Sequence, residues 1–420
     1  MFGRASSYDP VVMEPAPLQP EMVDSPTVVS DKSGHTKNNT RSGRKPAAKG
    51  EPTMRRYHPD ADAVATDVTV YIGIDVAAEE LAVCVLGSDL EVLARVKLPY
   101  AEEAVSWLMD RLPGCSVHAV YEAGPTGYVL LRWLRRYGCR TAFMVAPSLV
   151  PVASGDRVKT DKRDALKLAT LLATHNLKDA FVRDLTDEQY ADRQVVRCRT
   201  QARQKRTTIQ IQVKSLLLMH NIRLPREMKN WSKRTRAWLN QVETGHCSVG
   251  LALREQLRWW EEAHAAVKRL DQLCKGLAEE ERFAADVKRL RTIPGIGLTT
   301  AMLLLTELPD LPARFENGEA LARYTGLVPT EYSTGKTQGR RGHLPGDGNA
   351  EVRSALVQAA WRLIAKDAFQ RERYERLRPR CGGKKAIVAV ARHLAMTVYA
   401  MMRDQQNYGR QAKEELQAAA

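Results

Sequence analysis

The stretch Val68-Thr-Val-Tyr-Ile-Gly-Ile-Asp-Val76 decides the predicted fold of this chain. Its β-branched and apolar residues, bounded by charge, predict a buried strand. Asp75 stands near the end of that strand, where a carboxylate is uncommon unless it is paired or bound to a metal ion. The stretch therefore predicts both the first strand of a sheet and the first residue of a functional site.

The following residues predict an alternation of strands and helices around this first strand. Strands are expected at 81–86, 91–98, 117–122 and 140–145, and helices at 101–112 and 128–137. Three antiparallel strands, followed by parallel strands joined through helices, have the order of a ribonuclease-H-like α/β fold. The first and fourth strands are neighbours in such a sheet, so Asp75 is expected to lie near Glu122.

A second stretch, Ser154-Gly-Asp-Arg-Val-Lys-Thr-Asp-Lys-Arg-Asp-Ala-Leu-Lys-Leu-Ala169, adds two acids on one predicted helix face. Alone, the pair Asp161 and Asp164 is more typical of a solvated helix. Together with Asp75 and Glu122 it predicts a cluster of four carboxylates, which needs cations because like charges repel. Hard oxygen ligands select Mg²⁺ or Mn²⁺, and two such ions would activate a nucleophile and hold a phosphodiester.

Composition limits the remaining possibilities. The chain has 420 residues and a formal net charge of +15, which favours a polyanionic partner such as nucleic acid. A basic protein without such a partner is the alternative. Seven scattered cysteines without a Cys-x-x-Cys pair indicate neither a zinc site nor a disulfide framework, and they fit a reducing cytoplasm. The sequence predicts no signal peptide, no apolar run long enough to span a membrane and no membrane partner.

The pattern divides the chain into five segments. We expect a disordered basic leader at 1–66, an α/β domain at 67–185, a helical coiled-coil hairpin at 186–290, a C-terminal domain at 291–405 and a tail at 406–420. The hairpin consists of helices at 189–222 and 248–291, and a plain helical bundle is the alternative. His264 is expected to be a packed or edge histidine rather than a ligand.

Several basic and glycine residues are candidates for nucleic-acid contacts. Arg157, Lys159 and Lys162 surround the Asp161 pair, although a solvated surface also mixes charges in this way. Gly295 and Gly297 lie in a Pro-Gly-Ile-Gly run that predicts a helix-hairpin-helix, whose backbone N–H groups can approach a phosphate. A tight turn between packed helices is the structural alternative.

A run at 327–349 contains candidate nucleophiles. Ser333 and Thr334 precede Gly335, where the chain can turn and expose a hydroxyl group, although such a hydroxyl is usually only a turn residue. Nearby cations could stabilise the charge of a phosphate, namely Lys336, Arg340 and Arg341. His343 is expected to be structural.

Six runs in order resemble the DEDD transposases of the IS110 and IS1111 insertion sequences. They occupy residues 71–75, 119–125, 156–165, 293–297, 327–335 and 357–360. The resemblance implies a recombinase with a RuvC-like first domain, in which Asp75, Glu122, Asp161 and Asp164 fall on the four acidic positions. It also implies a serine that links covalently to DNA, a structured non-coding guide RNA and a dimer or dimer of dimers with a shared site.

Two questions stay open: which residue is the nucleophile, and which function the protein has. Related sequences often carry two serines before the glycine, so the nucleophile is Ser333 or Thr334. We favour Ser333, because a secondary hydroxyl is bulkier. The competing functions are a RuvC-like structure-specific endonuclease that uses metal-activated water, and a non-catalytic nucleic-acid-binding protein.

Overall fold

The computed structural model describes residues 68–151, 161–177, 180–228, 230–330, 342–344 and 348–409. The predicted leader at 1–66 lies outside these residues, as does the tail beyond residue 409. The proposed domain boundaries stay predictions.

The described residues form a mixed six-stranded sheet in the order β3-β2-β1-β4-β5-β6. Its strands are β1 (Thr69–Val76), β2 (Glu80–Leu86), β3 (Val92–Pro99), β4 (Ser116–Glu122), β5 (Thr141–Val145) and β6 (Phe181–Val182). β1, β2 and β3 form the predicted antiparallel meander, and β4 and β5 continue the sheet parallel to β1. The predicted strand order is therefore confirmed. The short β6, antiparallel to β5, was not predicted, because two residues carry no periodic pattern.

Helices cover both faces of this sheet. α1 (Glu102–Met109) and α2 (Val129–Arg136) contribute to one apolar cluster together with Val70, Ile72 and Ile74 of β1. On the other face, α3 (Asp161–Ala173) packs across β1, β2 and β4. The alternation of side chains along β1 thus separates an apolar face from the face that carries Asp75.

Gly73 lets α3 lie directly on β1. A Cβ atom at this position would stand 2.0 Å from the carbonyl oxygen of Ala165 and 2.4 Å from the backbone nitrogen of Ala169. No side chain fits in that space, so the glycine sets the distance between helix and strand. Ala165 and Ala169 are buried at this contact.

The helical hairpin consists of α4 (Asp187–Met219) and α6 (Cys247–Glu279), with α5 (Lys233–Gln241) between them. The two long helices run antiparallel: Arg199 of α4 donates to Asp271, whereas Val213 clusters with Leu257, which comes earlier in α6. The two long helices of the predicted hairpin are therefore present, whereas their packing as a coiled coil stays a prediction. A single helix over 248–291 is wrong, because the chain is extended at Glu280 and resumes as α7 (Glu281–Leu290). The break lets Val287 and Leu290 join the C-terminal core.

The remaining helices build that C-terminal core. They are α8 (Leu298–Glu307), α9 (Leu311–Arg314), α10 (Gly318–Tyr324), α11 (Ala350–Lys366), α12 (Ala368–Cys381) and α13 (Gly383–Asp404). By length and composition α13 could cross a membrane, so the expectation that no run reaches that length is wrong. However, α13 packs against α9 through α12, and its buried residues belong to the core. That is the environment of a core helix.

Candidate active site

Asp75 and Glu122 lie at the carboxyl ends of two neighbouring parallel strands, Asp75 as the last residue but one of β1 and Glu122 as the last of β4. Ile74 of β1 lies opposite Tyr121 of β4, and each acid is the next residue on its strand. Successive side chains of a strand point to opposite faces, so Asp75 shares the face of Gly73, which α3 covers. Glu122 shares the face of Val120, which clusters with Leu168 and Leu172 of α3. Both acids therefore belong to the same face and the same end of the sheet, as predicted.

The first turn of α3 adds Asp161 and Asp164 to this face. Ala165 lies over Gly73, and Asp161 stands one turn before Ala165. Asp161 is exposed, whereas the side chains of Asp75, Glu122 and Asp164 are half-buried.

Lys97 stands beside the acids and was missed by the sequence reasoning. It lies opposite Ala82, which lies opposite Asp75, so one row of the sheet connects the cation with that acid. Its Nζ is 3.0 Å from Oε2 of Glu80 and 3.8 Å from Oδ2 of Asp161. Glu80 and, less strongly, Asp161 raise the pKa of Lys97. The only available signal was a lysine on a predicted strand, which is too common to indicate a site.

The donor chemistry of the four acids fits a hard divalent cation, since all of the side chains offer carboxylate oxygens. Across the described ranges, no group of three or more His, Cys, Asp or Glu residues is arranged to hold a metal ion. Lys97 instead provides positive charge next to Asp161. Metal binding by the four acids stays a prediction.

The run with the candidate nucleophiles is closed at its base by backbone pairing. The N–H of Thr330 donates to the carbonyl of His343 at 3.1 Å, and the N–H of Gly342 donates to the carbonyl of Thr330 at 2.7 Å. Thr330, just before residues 331–341, and Gly342 and His343, just after them, are therefore adjacent in the structure. His343 contributes its carbonyl group here, in line with a structural role. Ser333, Thr334, Lys336, Arg340 and Arg341 lie outside the described residues.

A buried ionic network holds the end of this run against the hairpin. Arg197 of α4 donates from Nε and Nη2 to the two carboxylate oxygens of Glu307, at 2.6 and 3.0 Å. Asn349 donates from Nδ2 to Glu307 at 2.9 Å and accepts from the N–H groups of Glu351 and Val352 as the N-cap of α11. The side chain of Glu307 is 2% exposed. One buried carboxylate thus joins α4, α8 and α11.

Comparisons with known proteins agree with this layout. A family model for DEDD transposases of the IS110 type matches residues 72–222, and a second, described as the Transposase IS116/IS110/IS902 family, matches residues 287–375. The putative transposase y4qE of Sinorhizobium fredii is 33% identical over 374 residues, which cover 81% of this chain and 90% of that protein. The chain belongs to the IS110 family of insertion-sequence transposases.

Two further relatives of this IS110-family transposase are named for insertion sequences. The transposase for IS1111A of Coxiella burnetii is 23% identical over 80% of this chain and 90% of its own length. The transposase for IS1533 of Leptospira borgpetersenii is 28% identical over 61% of this chain and 74% of its own length. The resemblance first seen in short runs is therefore confirmed over most of the chain.

The remaining candidates for nucleic-acid contacts in this transposase differ in their surroundings. Lys162 is exposed in the first turn of α3, whereas Arg157 and Lys159 lie outside the described residues. Gly295 adopts φ +102°, and a Cβ there would stand 2.8 Å from the carbonyl oxygen of Ala359, so this glycine serves packing against α11. Gly297 caps α8 with open space around it. A phosphate contact at Gly297 stays a prediction.

Proposed function

We propose that this transposase cuts and rejoins DNA with a metal-bound acidic cluster and a serine nucleophile, guided by a non-coding RNA. The observation that carries the proposal is the position of Asp75 and Glu122 at the ends of adjacent parallel strands, beside the first turn of α3. Asp161 and Asp164 lie in that turn. This arrangement supports a RuvC-like assignment of the α/β domain.

Each group of residues has a role in the proposed reaction. Bound Mg²⁺ or Mn²⁺ would supply positive charge that polarises a phosphodiester and activates a hydroxyl group. Asp75, Glu122, Asp161 and Asp164 would hold that charge at one edge of the sheet. The hydroxyl oxygen of Ser333 would bond to phosphorus, while the bond from phosphorus to the leaving sugar oxygen breaks and that oxygen takes a proton.

Two fixed anchors support a positioned nucleophile. The pairing of Thr330 with Gly342 and His343 fixes the base of the run that contains Ser333, and the Glu307 network fixes the start of α11 behind it. A hairpin of two long helices separates the acids from this run along the chain. This separation supports a dimer, or dimer of dimers, in which the acids of one protomer meet Ser333 of another.

A covalent adduct assay tests the proposal. The purified protein is incubated with RNA from the insertion sequence and labelled element DNA, and protein–DNA adducts are counted after denaturation. Ser333→Ala is expected to abolish the adduct, and Thr334→Ala to reduce it less. Asp161→Asn is expected to abolish it with the fold intact. A mixture of Ser333→Ala and Asp161→Asn proteins should recover adduct if protomers share a site.

The same assay separates the competing functions. Cleavage without any adduct in the wild type would replace the serine with metal-activated water and make the protein an endonuclease. Adducts in Ser333→Ala but not in Thr334→Ala would move the nucleophile by one residue. Nucleic-acid binding that survives while neither cleavage nor adduct forms would favour a non-catalytic binding protein. DNA cutting that is unchanged when the RNA is left out would contradict guidance by RNA.

A further inference from the structure

One exposed face of α12 combines an aromatic ring with a line of cations. Phe369, Arg373, Arg376 and Arg380 are spaced by four, three and four residues, so they lie along one side of the helix. We call them the α12 stripe. From residue 371 to residue 385 the chain carries seven Lys and Arg against two Glu, which gives 7 − 2 = +5. We propose that the α12 stripe binds an unpaired DNA strand.

Phe369 supplies a surface on which a base can stack. Its side chain is 63% exposed, although a phenylalanine is normally among the more buried residues. The guanidinium of Arg373 stands 5.6 Å from the centre of its ring. On the preceding helix, Trp361 is 46% exposed as well. Exposed aromatic rings beside arginines are the usual platform for unstacked bases.

Arg373 adds a partly desolvated cation to the stripe. It is half-buried, and its Nε is buried without a hydrogen-bond partner in the described part of the chain. Burial and the charge of Arg376 lower the pKa of Arg373. A partly buried cation is costly unless it is paired. A phosphate beside the exposed Arg376 would offset the repulsion between the two guanidinium groups.

Arg371 of α12 already has a structural role, so it is not part of the proposed surface. Arg371 donates to the carbonyl groups of Ile364 and Ala365 and so caps the end of α11. Arg376 and Arg380 are exposed and make no ion pair within the described ranges. No carboxylate of the described residues therefore lies within ion-pair distance of them.

The geometry favours a single strand over a duplex. From Phe369 to Arg380 the helix rises about 16 Å, the length of about five stacked nucleotides at ~3.4 Å each. Bases in a duplex are already stacked on one another, so they cannot cover the ring of Phe369, whereas unpaired bases can. The choice of DNA rests on the proposed function, because cutting and rejoining DNA exposes unpaired strands.

Fluorescence anisotropy with labelled oligonucleotides of one sequence tests the proposal. The full chain is titrated into single-stranded DNA, single-stranded RNA and duplex DNA, without divalent ions so that no strand is cut. Phe369→Ala should weaken binding to single-stranded DNA about 5- to 150-fold and leave the salt dependence unchanged. Arg376→Gln combined with Arg380→Gln should lower the slope of log Kd against log salt by about 1.4, or ~0.7 for each lost phosphate contact.

Matched controls are available on α6. Leu273 is 59% exposed, and Arg258 is an exposed arginine paired with Glu255 and Glu262. Leu273→Ala and Arg258→Gln should leave binding within about twofold of the wild type, since neither belongs to the stripe.

Three results would overturn the proposal. The first is an unchanged affinity of Phe369→Ala for single-stranded DNA. The second is a stripe variant that loses as much affinity for duplex DNA as for single-stranded DNA. The third is a stripe variant that loses affinity only for RNA. Because the assay measures binding without cutting, its result does not depend on the proposed cutting and rejoining reaction. If the protein binds single-stranded DNA through the stripe but forms no covalent adduct, the binding surface is supported and the serine mechanism is contradicted.

Discussion

Replacing Gly73 with alanine tests how the fold positions the acids. The new Cβ would lie 2.0 Å from the carbonyl oxygen of Ala165, and real Cβ contacts essentially never fall below 3.0 Å. α3 would therefore have to move away from β1 by at least 3.0 − 2.0 = 1.0 Å. The two nearest atoms that the new Cβ would meet, on Ala165 and Ala169, both belong to the backbone of α3, so no side-chain rotation relieves the clash.

We expect Gly73→Ala to destabilise the protein by about 3 kcal/mol, at the upper end of the ~1–3 kcal/mol for an overpacked core. The gain in β propensity would offset at most ~1 kcal/mol of this loss. α3 carries Asp161 and Asp164, and a displacement of about 1 Å in a catalytic group can cost ~100-fold in rate. DNA cutting should therefore fall by about that factor, even where the variant is still folded.

Urea denaturation followed by circular dichroism measures the stability, and the nicking of a supercoiled plasmid that carries the element ends measures the rate. Gly276→Ala is the matched control: it lies within α6, and a Cβ there would meet nothing within 4 Å. It should stabilise the protein by about 0.5–1 kcal/mol and cut normally. A Gly73→Ala protein with wild-type stability and wild-type cutting would refute this account of the helix–strand contact.

Two further predictions concern buried ionisable groups outside the α/β domain. Arg197→Met leaves Glu307 with Asn349 alone and should cost about 2 kcal/mol in urea denaturation, which is below the ~3–5 kcal/mol of a fully buried pair because Arg197 is 40% exposed. Arg258→Met, at an exposed pair, should cost under about 0.5 kcal/mol, and equal losses in both variants would contradict a special role for the buried network. Burial, followed by the charge of Arg373, lowers the pKa of His393 to about 4, so the unfolded state binds more protons below pH ~6.5. The free energy of unfolding should fall by about 2–3 kcal/mol from pH 6.5 to pH 4, and an unchanged slope in His393→Gln would show that another group is responsible.

The sheet was predictable because its strands have distinct sequence signals. β1 and β4 are short and contain β-branched residues. β1 is bounded by charge and β4 is followed by a breaker, and the order of strands and helices allows few topologies. The edge that holds Asp75 and Glu122 follows from that order alone. The position of α3 over Gly73 does not follow, because a glycine within a strand pattern indicates only a bulge or a close approach.

Three features of the structure depend on tertiary contacts that sequence patterns do not reveal: the break at Glu280, the helix α12 and the Glu307 network. The apolar spacing continues from α6 into α7, so only the packing of Val287 and Leu290 in the C-terminal core reveals the break at Glu280. α12 was not predicted, because charged residues and Pro379 hide any apolar stripe. The Glu307 network joins residues more than a hundred positions apart, as in the pair with Arg197, and no local pattern connects them.

The four-carboxylate site is tested most directly by the Mg²⁺-dependent rate of DNA cutting in four single variants that each remove one carboxylate charge. These variants are Asp75→Asn, Glu122→Gln, Asp161→Asn and Asp164→Asn, and the control is Asp110→Asn, at an exposed acid that follows α1. If all four acids hold the ions, each variant should keep its fold and lose at least ~100-fold in rate, while the control cuts normally. Wild-type cutting by any one of the four would contradict the four-carboxylate site.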